Sequence, residues 1–183
     1  MVGVALSGGP AQPLLRIEGL RVAFEGDRGR RTEVVTGLGL AIERGRTLGI
    51  VGESGSGKSV TALAIMRLLP RESARLSGSV MLEGRELLSL PEHAMQDLRG
   101  NRIAMIFQEP MTSLNPSFTV GDQVGEVAMR HRGLSRRAAR ERAIELLRRV
   151  RIPSPEARVD DYPHRLSGGM RQRVMIAMAL ACE

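Results

Sequence analysis

The 183 residues are enough for one large domain or a core with a subdomain, and 42% of them are hydrophobic, although only 2% are aromatic. The net charge of +7 is almost entirely arginine, with Lys58 the only lysine. Because the arginines are spread among acids and few aromatics are available for base stacking, the basic balance does not argue for a nucleic-acid partner. Cys182 is the only cysteine, which excludes an intrachain disulfide or a cysteine metal cluster, and the apolar run Val174 to Cys182 falls short of the ~20 residues that span a bilayer.

Residues 1–12 read as a loose leader of small residues, Gly and Pro, with neither a basic start nor a long apolar core, so the chain reads as cytoplasmic. Leu14 to Phe24 alternates as a strand, Gly26 to Arg31 reads as a turn, and Glu33 to Ile42 as a second strand. Together they predict an antiparallel hairpin. Phe24, one of four aromatics, suits either a core position or a purine-stacking one.

The most informative stretch follows. A short apolar strand, Leu48 to Val51, leads into Gly52-Glu53-Ser54-Gly55-Ser56-Gly57-Lys58-Ser59, and a helical run from Val60 is stopped by Pro70. In the order strand, G-x-x-x-x-G-K-[ST], helix, this is a phosphate loop. Its glycines let backbone N–H groups turn inward, and the helix start adds unpaired donors and the positive end of a dipole. Lys58 suits the outer phosphates and the Ser59 hydroxyl suits Mg²⁺. Arginine cannot replace a compact ammonium in such a cradle, so the one lysine of the chain stands at a telling position.

Beyond Pro70, Ser77 to Leu82 with Gly84 predicts a short strand and turn, and Pro91 to Leu98 a short helix with Gly100 after its end. Ile103 to Phe107 reads as a buried strand delivering Gln108 into the turn-rich loop Glu109 to Pro116. Gln108 is either an ordinary polar loop residue or a ligand group at a strand exit. Val120 to His131 and Ser135 to Val150 read as helices. The second carries Ala139, Ala143, Leu146, Leu147 and Val150 on one face, and its arginine side reads as solvated.

A second unusual stretch, Leu166-Ser167-Gly168-Gly169-Met170-Arg171-Gln172-Arg173, follows Tyr162-Pro163-His164 and opens an apolar helix expected to be buried. Ser167 is a good N-cap, and the two glycines leave the first N–H groups bare of side chains. An ordinary capped core helix accounts for Ser167 and the apolar run but not for the glycine pair, and the helix mouth is built like an anion site.

Taken together, these residues resemble the nucleotide-binding subunit of ATP-binding cassette (ABC) transporters. Gly52 to Ser59 matches the Walker A loop, Gln108 the Q-loop glutamine, and Leu166 to Gln172 the LSGGQ-type signature, with Met170 where many members carry Gln. Phe24 falls where the family has its adenine-stacking aromatic. VGESGSGKS, IFQEPMTSLNP and YPHRLSGGMRQRVMIAMAL are similar to the dipeptide, oligopeptide and nickel importer group.

The resemblance implies an α/β P-loop fold. A RecA-like core with an antiparallel strand layer would occupy residues 13–109 and an inserted helical subdomain 110–175, with 176–183 ending the signature helix. It implies ATP and Mg²⁺ as cofactors. Phe24, Gly52 to Ser59 and Val60 would hold the nucleotide, Lys58 and Gln108 would act catalytically, and Ser59 and Gln108 would serve the metal. Two cassettes would pair head to tail, with Leu166 to Gln172 of one facing the ATP of the other. The implied partners are that second cassette, two membrane permease subunits and, indirectly, a substrate-binding protein, with the chain peripheral at the cytoplasmic membrane face.

The chain departs from the pattern after Ala181, where the Walker B strand is expected. Its Asp and Glu and the switch histidine are not found, since none of His93, His131 and His164 follows an apolar strand. The expectation is weak nucleotide binding without turnover, and unpaired sheet edges that favour aggregation. A non-hydrolysing remnant is an alternative reading. A DNA-associated ABC ATPase is another, disfavoured because heptads and cysteine pairs are missing. The transported cargo is not legible.

Overall fold

The computed structural model describes residues 12–26, 29–107 and 113–183. Within it the chain forms two compact units, one ending at Pro91 and the other beginning at Glu92. Nearly all of the leader expected over 1–12 lies outside the described residues, as do part of the turn after Gly26 and the boundary expected at 109/110.

The first unit is built on an antiparallel sheet of four strands in the order β2-β1-β3-β4: β1 Leu15–Glu25, β2 Arg31–Ile42, β3 Ala74–Leu82 and β4 Arg85–Glu86. The hairpin expected from the alternation forms, with Leu15 opposite Ile42 and Phe24 opposite Thr32. Ile17, Leu20 and Val22 of β1 are buried with Val80 and Leu82 of β3, giving the sheet an apolar face. Both registers break around Gly19, and Gly78 crosses the break at φ 98°. A side chain at Gly78 would lie 2.5 Å from the Gly19 carbonyl oxygen, so this bulge requires glycine there.

Helix α1, Lys58–Ile65, stops well before Pro70. Arg67 turns left-handed (φ 51°), its N–H reaches Ala64 O at 3.0 Å, and Leu68 N–H reaches Leu63 O at 2.8 Å. That pair of bonds closes the helix before proline can act.

Two expected strands do not form. Leu48 to Val51 has no ladder partner, and Val51 is 97% exposed. Ile103 to Phe107 makes a single bridge, from Ile103 to Arg99, and Ile106 and Phe107 are exposed. A buried parallel strand exists only where neighbours satisfy its backbone groups, and among the described residues neither segment has such neighbours. The antiparallel layer of the expected core is therefore present, and its parallel layer is not assembled among the described residues.

The second unit is helical: α2 Glu92–Leu98, α3 Val120–Arg132, α4 Arg136–Arg149, α5 Pro155–Arg158, a 3₁₀ turn Pro163–Arg165 and α6 Gly168–Ala179. Val120, Val124, Ala143, Leu146, Leu147, Val159, Leu166 and Val174 form its core. Thr119 and Ser135 cap α3 and α4 by accepting from Asp122 N and Ala138 N. Gly121 permits a close approach, because a Cβ there would sit 2.3 Å from Val159 Cγ2.

Helix α6 is less buried than its composition predicts. Val174, Met175 and Ala177 are buried, whereas Ile176, Met178 and Ala179 are partly exposed. The arginine side of α4 is solvated and paired with acids, as in Arg140–Asp160 at 2.6 Å, Arg142–Glu145 at 2.8 Å and Arg149–Glu183 at 2.6 Å. Among the described residues, no helix is long and apolar enough to cross a membrane.

Candidate functional site

The phosphate loop lies in the first unit. Gly55 (φ 83°) and Gly57 (φ 87°) adopt left-handed conformations that side chains resist, and Gly57 caps α1. A Cβ on Gly57 would meet Val34 O at 3.1 Å, so the loop rests on β2, and a Cβ on Gly52 would meet Ser56 Oγ at 2.7 Å. The Lys58 ammonium points into the loop. It donates to Gly52 O at 2.7 Å, Glu53 O at 2.6 Å and Ser56 Oγ at 3.1 Å, which matches its three protons.

Gly52 to Ser56 are exposed, as is Ser59, while Lys58 and Val60 are half-buried. No acidic residue stands in the first turn of α1, so nothing offsets the positive end of its dipole. Phe24 is half-buried on β1, two residues beyond Val22, whose partner Val35 flanks Gly57. The loop can thus present a cation, turned backbone and a helix start to one anionic group.

Sequence reasoning missed Thr61. Its buried hydroxyl donates to Gly57 O at 2.9 Å and holds the junction of loop and helix. The signal is a β-branched hydroxyl residue four positions beyond the last glycine of the loop.

The signature stretch lies in the second unit. Leu166 is buried in the helical core. Ser167 takes the extended N-cap conformation (φ −65°, ψ 161°) and accepts from Met170 N at 3.3 Å. Gly168 and Gly169 are exposed, with open space where a Cβ would stand. Met170 packs against the core, Arg171 is half-buried and Gln172 is exposed.

Asp161, also unforeseen, braces the turn before this helix. Its carboxylate accepts from Arg158 at 2.8 Å and Arg165 at 3.5 Å, and its carbonyl accepts from Val120 N at 2.9 Å. The hydrogen bond from Arg158, with the charges of both arginines, holds this carboxyl below its ordinary value of 3.8 despite partial burial. Gln123, polar on an otherwise apolar helix face, is the third residue missed. Its side chain bonds Asn115 N and Asn115 O at 2.9 Å each and Phe118 O at 3.1 Å.

Gln108 lies outside the described residues. All three histidines belong to the second unit, where His164 stacks on Tyr162 with centroids 5.7 Å apart. Among the described residues no group of three His, Cys, Asp or Glu side chains is arranged to hold a metal; of the expected metal groups, Ser59 is exposed and Gln108 lies outside the described residues.

The profile of the family described as "ABC transporter" matches residues 35–183. A probable peptide ABC transporter ATP-binding protein of Sinorhizobium fredii is 53% identical over 174 residues, covering 94% of this chain and 52% of the relative. The oligopeptide transport ATP-binding proteins OppD of Bacillus subtilis and Escherichia coli are each 50% identical, with 48% and 53% of their lengths covered. The chain spans about half the length of the curated relatives it matches. Among solved structures, the ATP-binding cassette MJ0796, in a dimeric post-hydrolysis state bound to ADP and Pi, superposes with a TM-score of 0.80 at 26% identity. It covers 92% of this chain and 69% of that one.

Proposed function

Because this chain belongs to the ABC transporter family, we propose that it is an ATP-binding part of a peptide-import ATPase. The observation that carries the reading is the Lys58 ammonium held at the centre of the Gly52–Ser59 loop by carbonyls and a hydroxyl. The ammonium already stands inside the loop, so a phosphate chain would meet a cation in place once Lys58 Nζ releases the Gly52 and Glu53 carbonyls. The names of relatives that are half identical to this chain support peptide as the imported class.

The residues fit the nucleotide in chemistry as well as in pattern. Lys58 and the N–H groups around Gly55 and Gly57 would hold its phosphates, Ser59 its Mg²⁺, and Phe24 its adenine ring. Bound ATP supplies a transferable phosphoryl group. Toward it the chain's own residues orient and neutralise: the ammonium balances oxygen charge, and the start of α1 adds its dipole. Gln108 joins the reading by its sequence position.

The signature turn, Leu166 to Gln172, would serve the nucleotide of a second cassette. Gly168 and Gly169 bare a helix mouth in a unit without a phosphate loop of its own. Two membrane permease subunits and a substrate-binding protein complete the proposed assembly, at the cytoplasmic membrane face. No carboxylate among the 183 residues follows a hydrophobic strand in Walker B fashion. On this reading the 183-residue polypeptide alone binds nucleotide weakly and does not hydrolyse it.

Equilibrium dialysis of ATP against the chain tests the reading. Binding is expected, and Lys58→Ala is expected to abolish it. Binding that survives Lys58→Ala, or ATP turnover by the isolated polypeptide, overturns the corresponding part.

A further inference from the structure

We infer that Arg171 is a positioning residue that locks the backbone turn presenting Ser167 to Gly169, an inference that rests on the composite-site reading above. Its Nε donates to Pro163 O at 2.8 Å and to Leu166 O at 3.0 Å, the two carbonyls that bracket the approach to the cap. Its own amide donates to Ser167 O at 3.0 Å. One residue thus grips the turn three times, from within the first turn of the helix that the turn introduces.

The neighbouring charges are committed in the same manner. Arg165 lies on the Asp161 carboxylate at 3.5 Å, and Arg173 donates to Arg151 O at 2.7 Å. Met170 N is taken by Ser167 Oγ and Arg171 N by Ser167 O. This leaves the amides of Gly168 and Gly169, with open space beside both, as the groups that face an incoming anion. An anion read by two backbone amides demands that those amides be held still, because backbone donors cannot reorient as side chains do. Nε also covers Leu166 O, whose negative end would otherwise repel the same anion, while Pro163 O accepts from Leu166 N as well, at 3.1 Å.

By its place in the sequence Arg171 belongs with the residues expected to act on the partner's nucleotide. The geometry assigns it one step back, acting through Leu166 and Ser167. Lysine is not equivalent here. Its ammonium has donors enough for both carbonyls but sits on a flexible stem, whereas the one Nε–H shared by Pro163 O and Leu166 O is fixed in the guanidinium plane.

Hydrogen exchange on the 183-residue chain, read by mass spectrometry, tests this. With Arg171→Met, the bonded amides of Arg165, Leu166 and Met170 should exchange about tenfold faster or more, the ratio that one charged hydrogen bond of ordinary strength represents, while amides of α4 are unchanged. Arg171→Lys should recover part of the protection. Acceleration spread equally over α3, α4 and α6 would mean a packing role only, and unchanged exchange would remove the role altogether; either result overturns the inference. If Arg171→Met does not fold, Arg171→Lys decides alone, with local acceleration at the same amides supporting the inference and none overturning it.

Sedimentation with ATP adds a second readout. Arg171→Met should weaken ATP-driven self-association. Weakened association with unaltered exchange would make Arg171 a phosphate contact and overturn the positioning role. A wild-type chain that binds ATP but does not associate defeats the composite-site reading instead, and the exchange result still decides what Arg171 does.

Discussion

Replacing Gln123 by leucine removes a polar clamp from the start of α3 while keeping side-chain volume close to constant. The wild-type side chain is 6% exposed and bonds Asn115 N, Asn115 O and Phe118 O at 2.9, 2.9 and 3.1 Å. At about 0.5–1.5 kcal/mol each, the three bonds sum to roughly 3 kcal/mol. The apolar gain of a buried leucine offsets about 1 kcal/mol of this. Asn115 and Phe118 are themselves exposed, so water recovers part of the lost bonding.

The net cost is therefore about 2 kcal/mol, which lowers the melting temperature of a chain of this size by roughly 4–8 °C. Gln123→Glu is the sharper variant. Its carboxylate still accepts from Asn115 N, but its second oxygen faces the Asn115 and Phe118 carbonyls where an amide donor stood. It should be less stable than Gln123→Leu at neutral pH. Protonation restores a donor, so that gap should shrink as the pH is lowered. Urea and thermal unfolding followed by circular dichroism measure both variants. If Gln123→Leu matches wild type within about 0.5 kcal/mol, or Gln123→Glu exceeds Gln123→Leu at neutral pH, the clamp does not hold the loop.

Other sites yield equally direct expectations. Gly121→Ala forces a Cβ to within 2.7 Å of the Val159 carbonyl oxygen, where backbone cannot give way cheaply, and should cost about 2–4 kcal/mol in urea unfolding. Thr61→Val keeps the shape but loses the bond to Gly57 O; it should cost about 1 kcal/mol and weaken ATP binding in dialysis. The Glu86 carboxyl is desolvated by burial, which opposes ionisation, yet the Ser79 hydroxyl and the Leu88 and Val80 amides outweigh this and hold it below its ordinary value of 4.5. Its contribution to stability is complete above that value and is lost as the pH falls through the lowered one. Glu86→Gln should therefore destabilise at neutral pH and converge on wild type in acid, as followed by unfolding at a series of pH values.

What was legible in the sequence is what short-range chemistry specifies. The phosphate loop needs left-handed residues at Gly55 and Gly57, and only a glycine-rich string offers them. The cap at Ser167 follows from a hydroxyl residue ahead of an apolar helix, and the 15–42 hairpin from alternation around a turn. The end of α1 was misjudged because Pro70 is a loud signal, whereas the left-handed Arg67 that closes the helix carries none. Gln123, Thr61 and Asp161 escaped notice because each acts on a backbone group brought to it by the fold. A polar residue inside an apolar stripe, as Gln123 is among Val120, Val124 and Ala128, is the one such trace visible beforehand.

The unpaired segments show why the loop and the strand before it must be considered separately. Leu48 to Val51 has the composition of a buried strand, yet Val51 is 97% exposed and the loop after it is fully formed. The support of the loop comes from elsewhere: Gly57 against Val34, Thr61 on the Gly57 carbonyl, and Lys58 on the Gly52 and Glu53 carbonyls. The last of these contacts spans only five or six residues of chain, so the loop closes at low entropic cost without a ladder on its entering strand. Pairing of 48–51 with another strand would then add stability to the sheet while leaving the loop conformation nearly unchanged. The conformation of the Gly52 to Ser59 loop is in this sense a local property of the sequence, whereas a parallel layer around it would be a collective one.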